Sequence, residues 1–322
     1  MSAGPVRSGK GVPALTARGV SFSYPKSKAP ALRDFSLQVE EGSCLGLLGT
    51  NGSGKTTFVS LVCGLLKPEM GEISIFSRPA GSIASRQMLG LCPQELALYP
   101  TLNARENLQL FGRLAGLKGA KLKQRVDYCL ELAQLEAEQK QRVSSFSGGM
   151  KRRLNLAASL VHDPGLLLLD EPTVGVDPQS RIALQESLEE LIASGTTILY
   201  TSHYLEEVER LCDRVVVIDR GVHLIEGPTE EIVVQGKKAA TFLLQLNSGR
   251  DAKAIAAEVT CEGLLASVLE DDRLELLGED LAELTAVVAK LAERGDIAHC
   301  ETHKPSLEES FLGLTGRELR DR

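Results

Sequence analysis

The run Gly49-Thr50-Asn51-Gly52-Ser53-Gly54-Lys55-Thr56 fits the pattern G-x-x-x-x-G-K-[ST]. Glycines at that spacing let a backbone wrap closely round an anion and aim its N–H groups inward, and a helix starting there adds partial positive charge. Lys55 is then placed to reach terminal phosphates and the Thr56 hydroxyl to ligate Mg²⁺. A glycine-rich surface turn would share the composition but not the context. Here the apolar stretch Cys44–Leu48 reads as a strand leading in, and residues from Thr57 to Leu65 read as a helix leading out.

Two carboxylates stand where such a loop needs them. The all-leucine run Leu166–Leu169 reads as a buried strand and delivers Asp170 and Glu171 at its C-terminal end, where ligands sit in open α/β sheets. Neighbouring strand residues point to opposite faces. If the strand is already ending there, Asp170 can join the Mg²⁺ shell while Glu171 faces the water that attacks a γ-phosphate. A second anion site is suggested by Ser147-Gly148-Gly149, an N-cap serine with two glycines ahead of a helical pattern that runs to Val161.

These residues need a scaffold. From Leu15 to about Val233, β-rich runs alternate with helical patterns, the mark of a largely parallel sheet, with further strands expected at Thr197–Thr201 and Arg214–Ile218. Apolar spacing predicts helices over Glu106–Ala115 and Lys121–Gln134, within an inserted helical subdomain at about residues 95–160. The fold class is thus α/β, with residues 1–13 a flexible tail and 14–236 the main domain. After Gly236-Lys237-Lys238 the pattern becomes Thr241–Leu246 strand, Asp251–Val259 helix, Leu264–Leu269 strand, Arg273–Leu277 strand, Leu281–Glu293 helix and Ile297–Thr302 strand. That βαββαβ order predicts a small ferredoxin-like α+β domain over 237–322. A last helix from Ser306 to about Leu314 follows Pro305, with Ser306 and Glu309 as a capping box.

Bulk properties narrow the field. The chain has 322 residues, 43% hydrophobic and 25% charged, with a net charge of −7 and no dense Lys/Arg block, which argues against a nucleic-acid partner. Seven cysteines without a C-x-x-C pair read as reduced thiols of a cytosolic protein. The opening residues carry no apolar core of a signal peptide, and the apolar runs are strand-length, far short of the ~20 residues of a membrane helix. His299-Cys300-x-x-His303 offers too few ligands for a closed zinc site.

Taken in order and spacing, the Walker A loop Gly49–Thr56, Ser147-Gly148-Gly149 ahead of Asp170, the run Asp170-Glu171-Pro172-Thr173-Val174-Gly175-Val176-Asp177-Pro178 and Thr201-Ser202-His203 resemble the nucleotide-binding domain of ATP-binding cassette (ABC) transporters, over roughly residues 15–235. The resemblance implies a P-loop NTPase fold and Mg²⁺-dependent ATP hydrolysis. It implies that Tyr24 stacks on adenine, as a flat ring can do for any base. Gly49, Asn51, Gly52, Ser53, Gly54, Lys55, Thr56 and Thr57 would bind the nucleotide, and Thr56, Asp170 and Gln94 would hold Mg²⁺. Glu171 would activate water, Gln94 touch the metal or that water, His203 contact the γ-phosphate and Asp177 join two active sites. Ser147, Gly148 and Gly149 would close over ATP bound by an opposite subunit in a head-to-tail dimer.

The implied partners are an integral-membrane subunit docking near Gln94–Asn107, where Leu96, Ala97, Leu98, Tyr99, Pro100 and Leu102 form an apolar cluster, and a second nucleotide-binding subunit, on the cytoplasmic face of the membrane. Phe146 and Met150 depart from the commonest signature, Leu-Ser-Gly-Gly-Gln, and remove a polar contact near the ribose. Ser-Gly-Gly-Met followed by basic residues, with the tail Leu307–Glu318, resembles exporter ATPases acting on drugs, lipids or polysaccharides. Two alternatives are a soluble ABC ATPase acting on ribosomes or DNA, against which the single P-loop and lack of sustained heptads speak, and an importer ATPase with a regulatory C-terminal domain.

Overall fold

The computed structural model describes residues 12–303 apart from 26, 28, 237–239, 262–263, 270–271 and 279–280. The tail before residue 12, the Lys237-Lys238 pair, the helix expected from Ser306 and the run Leu307–Glu318 lie outside the described residues. The chain divides into two compact units between Thr229 and Glu230.

In the first unit, β1 (Leu15–Phe22), β2 (Leu32–Val39), β4 (Met70–Ile75) and β5 (Arg78–Pro79) form an antiparallel sheet in the order β2-β1-β4-β5. Its inward alternation, clear in β2 with Leu32, Phe35, Leu37 and Val39 buried, is that of a sheet with one face on the core. The second sheet has the order β10-β9-β3-β8-β7-β6, built from β3 (Cys44–Leu48), β6 (Leu89–Cys92), β7 (Leu166–Asp170), β8 (Thr197–Ser202), β9 (Arg214–Asp219) and the antiparallel edge strand β10 (Val222–Pro228). Its central strands β3, β7 and β8 are buried at every position, so they read as apolar runs rather than alternating ones. Each expected strand is present, with β7, β8 and β9 one residue longer than predicted.

Between the strands run α1 (Lys55–Val62), α2 (Ile83–Arg86), α3 (Ala104–Leu114), α4 (Gly119–Leu132), a 3₁₀ turn at Val143–Ser145, α5 (Gly148–Leu160), α6 (Pro178–Ala193), α7 (Leu205–Leu211) and α8 (Thr229–Gly236). Helices α3, α4 and α5 make up the inserted subdomain. Several helix boundaries differ from the sequence reading by one to three residues, α4 spanning Gly119–Leu132 instead of Lys121–Gln134, and two of the differences have clear local reasons. Helix α1 ends at Val62 instead of Leu65 because the Leu65 and Leu66 N–H groups both turn back to the Ser60 carbonyl, at 2.9 and 3.3 Å. Helix α3 starts at Ala104 instead of Glu106 because Asn103 is its N-cap: Asn103 Oδ1 accepts the Glu106 N–H at 2.8 Å, and Glu106 Oε2 accepts the Asn103 N–H at 2.9 Å.

Packing under α1 aims the phosphate loop. Phe58 of α1 and Phe35 of β2 are fully buried and meet edge-on, ring centroids 5.0 Å apart. Such a pair adds ~0.5–1.5 kcal/mol beyond its buried area. It holds α1 against the sheet one turn past Lys55, so the loop joining β3 to α1 has little freedom.

The second unit contains β11 (Ala240–Leu246), α9 (Ala252–Cys261), β12 (Leu265–Val268), β13 (Arg273–Gly278), α10 (Leu281–Glu293) and β14 (Ile297–His303). Its sheet order β12-β13-β11-β14, with all pairs antiparallel, is the ferredoxin-like arrangement. It has its own core, in which Leu244, Leu246, Leu274, Leu276, Val259, Leu284 and Leu291 are buried.

The division at Thr229 falls at the first residue of α8, where Thr229 Oγ1 donates to the Cys212 carbonyl at 2.7 Å. A chain ending after Gly236 keeps that anchor and every phosphate-site residue. It should give one cooperative thermal transition and hydrolyse ATP within about threefold of the full chain, since separate cores fold separately. Loss of the transition or of nucleotide binding in calorimetry would make the second unit an integral layer of the first.

Candidate active site

Gly54 caps the start of α1 with φ +115, a conformation open to glycine and strained for any other residue. This turn sets the start of α1 at a cleft of ≈ 760 Å³ lined by Tyr24, Asn51, Gly52, Gly54, Lys55, Thr56, Thr57, Gln94, Glu171, Arg33 and Arg220, among others. Lys55 is 4% exposed and donates to the Gly49 and Thr50 carbonyls at 2.8 and 3.1 Å. Ser53 is 2% exposed, and its Oγ has no hydrogen-bond partner.

Strand β7 ends at Asp170, and Glu171 follows with φ +46. A non-glycine residue there costs ~1–3 kcal/mol. The turn is what frees Glu171 from strand alternation: its carboxylate swings into the same cleft instead of to the opposite face from Asp170. Thr201, at the end of the neighbouring β8, holds both acids in place. Its Oγ1 donates to Asp170 Oδ1 at 2.7 Å and accepts the Glu171 N–H at 3.1 Å.

The Glu171 carboxylate is where the site converges. Its Oε1 lies 3.2 Å from Lys55 Nζ, and its Oε2 accepts from Gln94 Nε2 at 3.3 Å. His203 Nδ1 lies 3.3 Å from the same Oε2, but out of line for a hydrogen bond, and it is left without one. The imidazole rests instead against the Tyr204 ring, centroids 4.2 Å apart. Residues at 55, 94, 171 and 203, from four separate elements, are thus brought round one carboxylate.

Asp170, 4% exposed, has its carboxyl pushed above the usual range by burial, against the pull of the Thr201 and Thr56 hydroxyls. Burial without full compensation suits a carboxylate that waits for a cation. The donor set fits Mg²⁺: a hard carboxylate oxygen of Asp170, the Thr56 hydroxyl and the Gln94 amide oxygen, with none of the sulfur or imidazole that softer metals take. Tyr24 is 45% exposed at the cleft mouth, its OH 3.3 Å from Thr57 Oγ1 and its ring edge-on to Phe22. An open ring face there is available to a base.

Ser147, Gly148, Gly149 and Asp177 do not line this cleft. Ser147 Oγ caps α5 by accepting the Met150 N–H at 3.2 Å. Asp177 caps α6 by accepting the Ser180 N–H at 3.0 Å, with Pro178 in the first turn, and its carboxyl is lowered by the Ser180 backbone and hydroxyl donors. The two helix starts abut so closely that a Cβ on Gly149 would overlap the Ser180 side chain. The role of Thr201 as a positioning group is not legible in its motif, because both of its acidic partners lie 30 or more residues away. Nor is that of Glu207 of α7, a buried carboxylate accepting from Thr173 Oγ1 and Tyr200 OH at 2.8 Å each and from Ser202 Oγ at 3.3 Å. That hub ties the strand ends carrying Glu171 and His203. Burial pushes the thiols of Cys63, Cys92 and Cys129 up to about 12, which keeps them protonated at neutral pH.

Residues 32–174 match the family model of the ABC transporter domain. Over 95% of this chain and 100% of its relative, the sequence is 36% identical to the linearmycin resistance ATP-binding protein LnrL of Bacillus subtilis. It is 40% identical to the Nod factor export ATP-binding protein I of Cupriavidus pinatubonensis, over 96% of this chain and 94% of that one. Among solved structures, cbiO1 of Clostridium perfringens, part of the ABC transporter complex cbiONQ, superposes with a TM-score of 0.63 at 27% identity, covering 69% of this chain and 90% of that one. The chain belongs to the ABC transporter family. It is an ATP-binding subunit of an ABC transporter and an ATPase, and the likeness to the curated relatives runs through its second unit as well as its first.

In this ABC subunit the raised Asp170 carboxyl has a consequence for stability. A carboxyl raised by burial holds its proton more tightly in the folded chain, so its favourable contribution is present at low pH and is lost as pH rises past the ordinary carboxylate value. Asp170→Asn removes that loss. The variant should melt a few degrees above the wild type at pH 7, with the difference shrinking toward pH 4, while its metal-dependent ATP hydrolysis falls by at least ~100-fold. Thermal scans at both pH values and a phosphate-release assay check the two halves.

Proposed function

We propose that this subunit couples Mg²⁺-ATP hydrolysis to export by a separate membrane-spanning subunit, as one of two cassettes that pair head to tail on the cytoplasmic face of the membrane. The observation that carries the catalytic part is the Glu171 carboxylate, set by its left-handed backbone within 3.3 Å of Lys55, Gln94 and His203. Phosphoryl transfer asks mainly for positioning and charge stabilisation. The phosphate loop and Lys55 bind the phosphates, and Lys55, now paired with Glu171, exchanges that partner for the more highly charged anion. Glu171, freed from its ion pair, accepts a proton from the attacking water, which Gln94 orients. His203 Nδ1, which has no internal hydrogen bond to give up, is available to the γ-phosphate. Mg²⁺, held by Thr56, Asp170 and Gln94, would neutralise charge on the β- and γ-phosphate oxygens.

Pairing of cassettes is supported by what lies outside the cleft. The start of α5 is of the kind that binds anions, and its first residue, Gly148, is exposed with open space around it, so a ligand there would come from beyond the cleft of its own chain. Asp177 sits at the adjacent helix start. Export is supported by the relatives, whose names refer to Nod factor export and to linearmycin resistance. Among the described residues no helix is long and apolar enough to cross a membrane, which is consistent with a separate spanning subunit.

The surface expected to receive that subunit is the segment after Gln94. Leu96 and Tyr99 are 43% and 49% exposed, whereas Leu98 is half-buried. Leu98 is therefore part of the packing of this segment, and Leu96 and Tyr99 form the outer patch. Exposed apolar neighbours of this kind mark contact surfaces.

Two experiments test the proposal. Glu171→Gln should bind Mg²⁺-ATP normally, turn it over at least ~100-fold more slowly, and accumulate as a dimer in light scattering, because an uncleaved γ-phosphate keeps the Ser147 helix engaged. A monomer at saturating nucleotide would rule out pairing of identical chains in the absence of other subunits. Leu96→Glu and Tyr99→Glu should keep more than about half of the free subunit's hydrolysis while losing co-purification with the membrane protein, since a charge would be desolvated in the joint. Retention of both would put the docking surface elsewhere.

A further inference from the structure

The basic run Lys151-Arg152-Arg153 looks like a solvated helix face, yet Arg152 is 8% exposed. Its guanidinium spans two loops. Nη1 donates to the Gln94 carbonyl at 2.6 Å and to the Pro93 carbonyl at 3.4 Å, and Nη2 donates to the Val174 carbonyl at 3.0 Å. Asn155, three residues on along the same face of α5, adds Nδ2 to the Pro93 carbonyl at 3.2 Å and accepts the Ala97 N–H on Oδ1 at 3.0 Å. One face of α5 therefore grips the Gln94 segment on both sides of the glutamine. By the other arm of the same fork it grips the loop between Glu171 and Asp177. The start of that helix is Ser147, five residues and about 7.5 Å along the axis from Arg152.

We propose that Arg152 is a positioning residue that makes α5, the Gln94 segment and the Glu171–Asp177 loop move as one body, so that an anion engaging the Ser147 end of α5 sets Gln94 and Glu171 for catalysis. The inference rests on the ATPase site described above and adds the part that connects it to the helix start outside the cleft. A planar fork with donors on two nitrogens is needed, because the carbonyls of Gln94 and Val174 lie on different loops. The point charge of a lysine reaches one of them at a time. Removing the fork also takes the Arg152 donor from the Gln94 and Val174 carbonyls, while Pro93 keeps Asn155, without touching nucleotide, metal or the attacking water.

The test uses the full chain with Arg152→Met, Arg152→Lys, Gln94→Ala and the double variant Arg152→Met/Gln94→Ala, each assayed for ATP affinity, kcat and thermal melting. The expected result is an ATP Kd within about twofold of wild type and a kcat lowered at least ~10-fold in Arg152→Met, with less than about a third of that loss recovered by Arg152→Lys. The double variant should be slowed by less than the product of the two single losses, because the part of the Arg152 effect that acts through Gln94 has nothing left to position. Multiplicative losses in the double variant, full recovery by lysine, or a kcat that falls only in step with melting temperature and Kd would each overturn the inference. Should Arg152→Met fail to fold, Arg152→Lys carries the same prediction of lowered kcat at unchanged Kd. A fully active Gln94→Ala would remove Gln94 from the site reading itself, whereas an impaired Gln94→Ala with multiplicative losses would remove only Arg152.

Discussion

The structure is organised around one buried carboxylate in an unfavourable backbone conformation. Glu171, 5% exposed and at φ +46, stays there because Thr201 takes its N–H and Lys55 takes its charge. Removing one partner of such a buried pair costs ~3–5 kcal/mol, so Lys55 and Glu171 each keep the other in place. The ion pair is also an exchangeable one. In the mechanism we propose, a polyphosphate offers Lys55 a larger negative charge than one carboxylate does, and the exchange would leave Glu171 as a free base beside the γ-phosphate. On that proposal the same contact stabilises the loop when no anion is bound and would release a catalytic group when one is.

Two adjacent acids serve different ends because the backbone treats them differently. Asp170 still belongs to β7, is buried against α1, and is raised by that burial. Glu171 has left the strand. The turn between them converts the two-sided geometry of a strand into two acids on one cleft, one facing the loop threonine and one facing the open side. The hub at Glu207 extends this control, since its three hydroxyl donors come from Thr173, Tyr200 and Ser202, all near the ends of β7 and β8. Strand ends that carry chemistry are held by side-chain hydrogen bonds because the sheet ladder has run out.

Helix starts do much of the remaining work. Those of α1, α5 and α6 are fixed by Gly54, Ser147 and Asp177, and each presents N–H groups that no intrahelical carbonyl can satisfy. Only the start of α1 faces the cleft. The starts of α5 and α6 lie side by side away from it, joined to the catalytic loops through the Arg152 fork. If the α5 start binds an anion, as we propose, the local site and that start share one helix and so have the elements needed to sense each other.

The sequence alone determined the chemistry and most of the scaffold. Short-range patterns, such as glycines before a lysine, leucines before two acids and a serine before a helix, encode backbone conformations that few alternatives can mimic. The ferredoxin-like order of the second unit was legible for the same reason, since each strand and helix carries its own period. Tertiary structure decided what depends on partners far apart in the chain. That Thr201 clamps both acids across 31 and 30 residues, that Arg152 is a buried fork instead of a surface charge, and that Leu98 packs while Tyr99 stays open are matters of which side chain meets which. Local pattern fixes φ, ψ and the face of an element, whereas hydrogen-bond partners and burial are set only when separate elements pack, and no residue's type announces its neighbour.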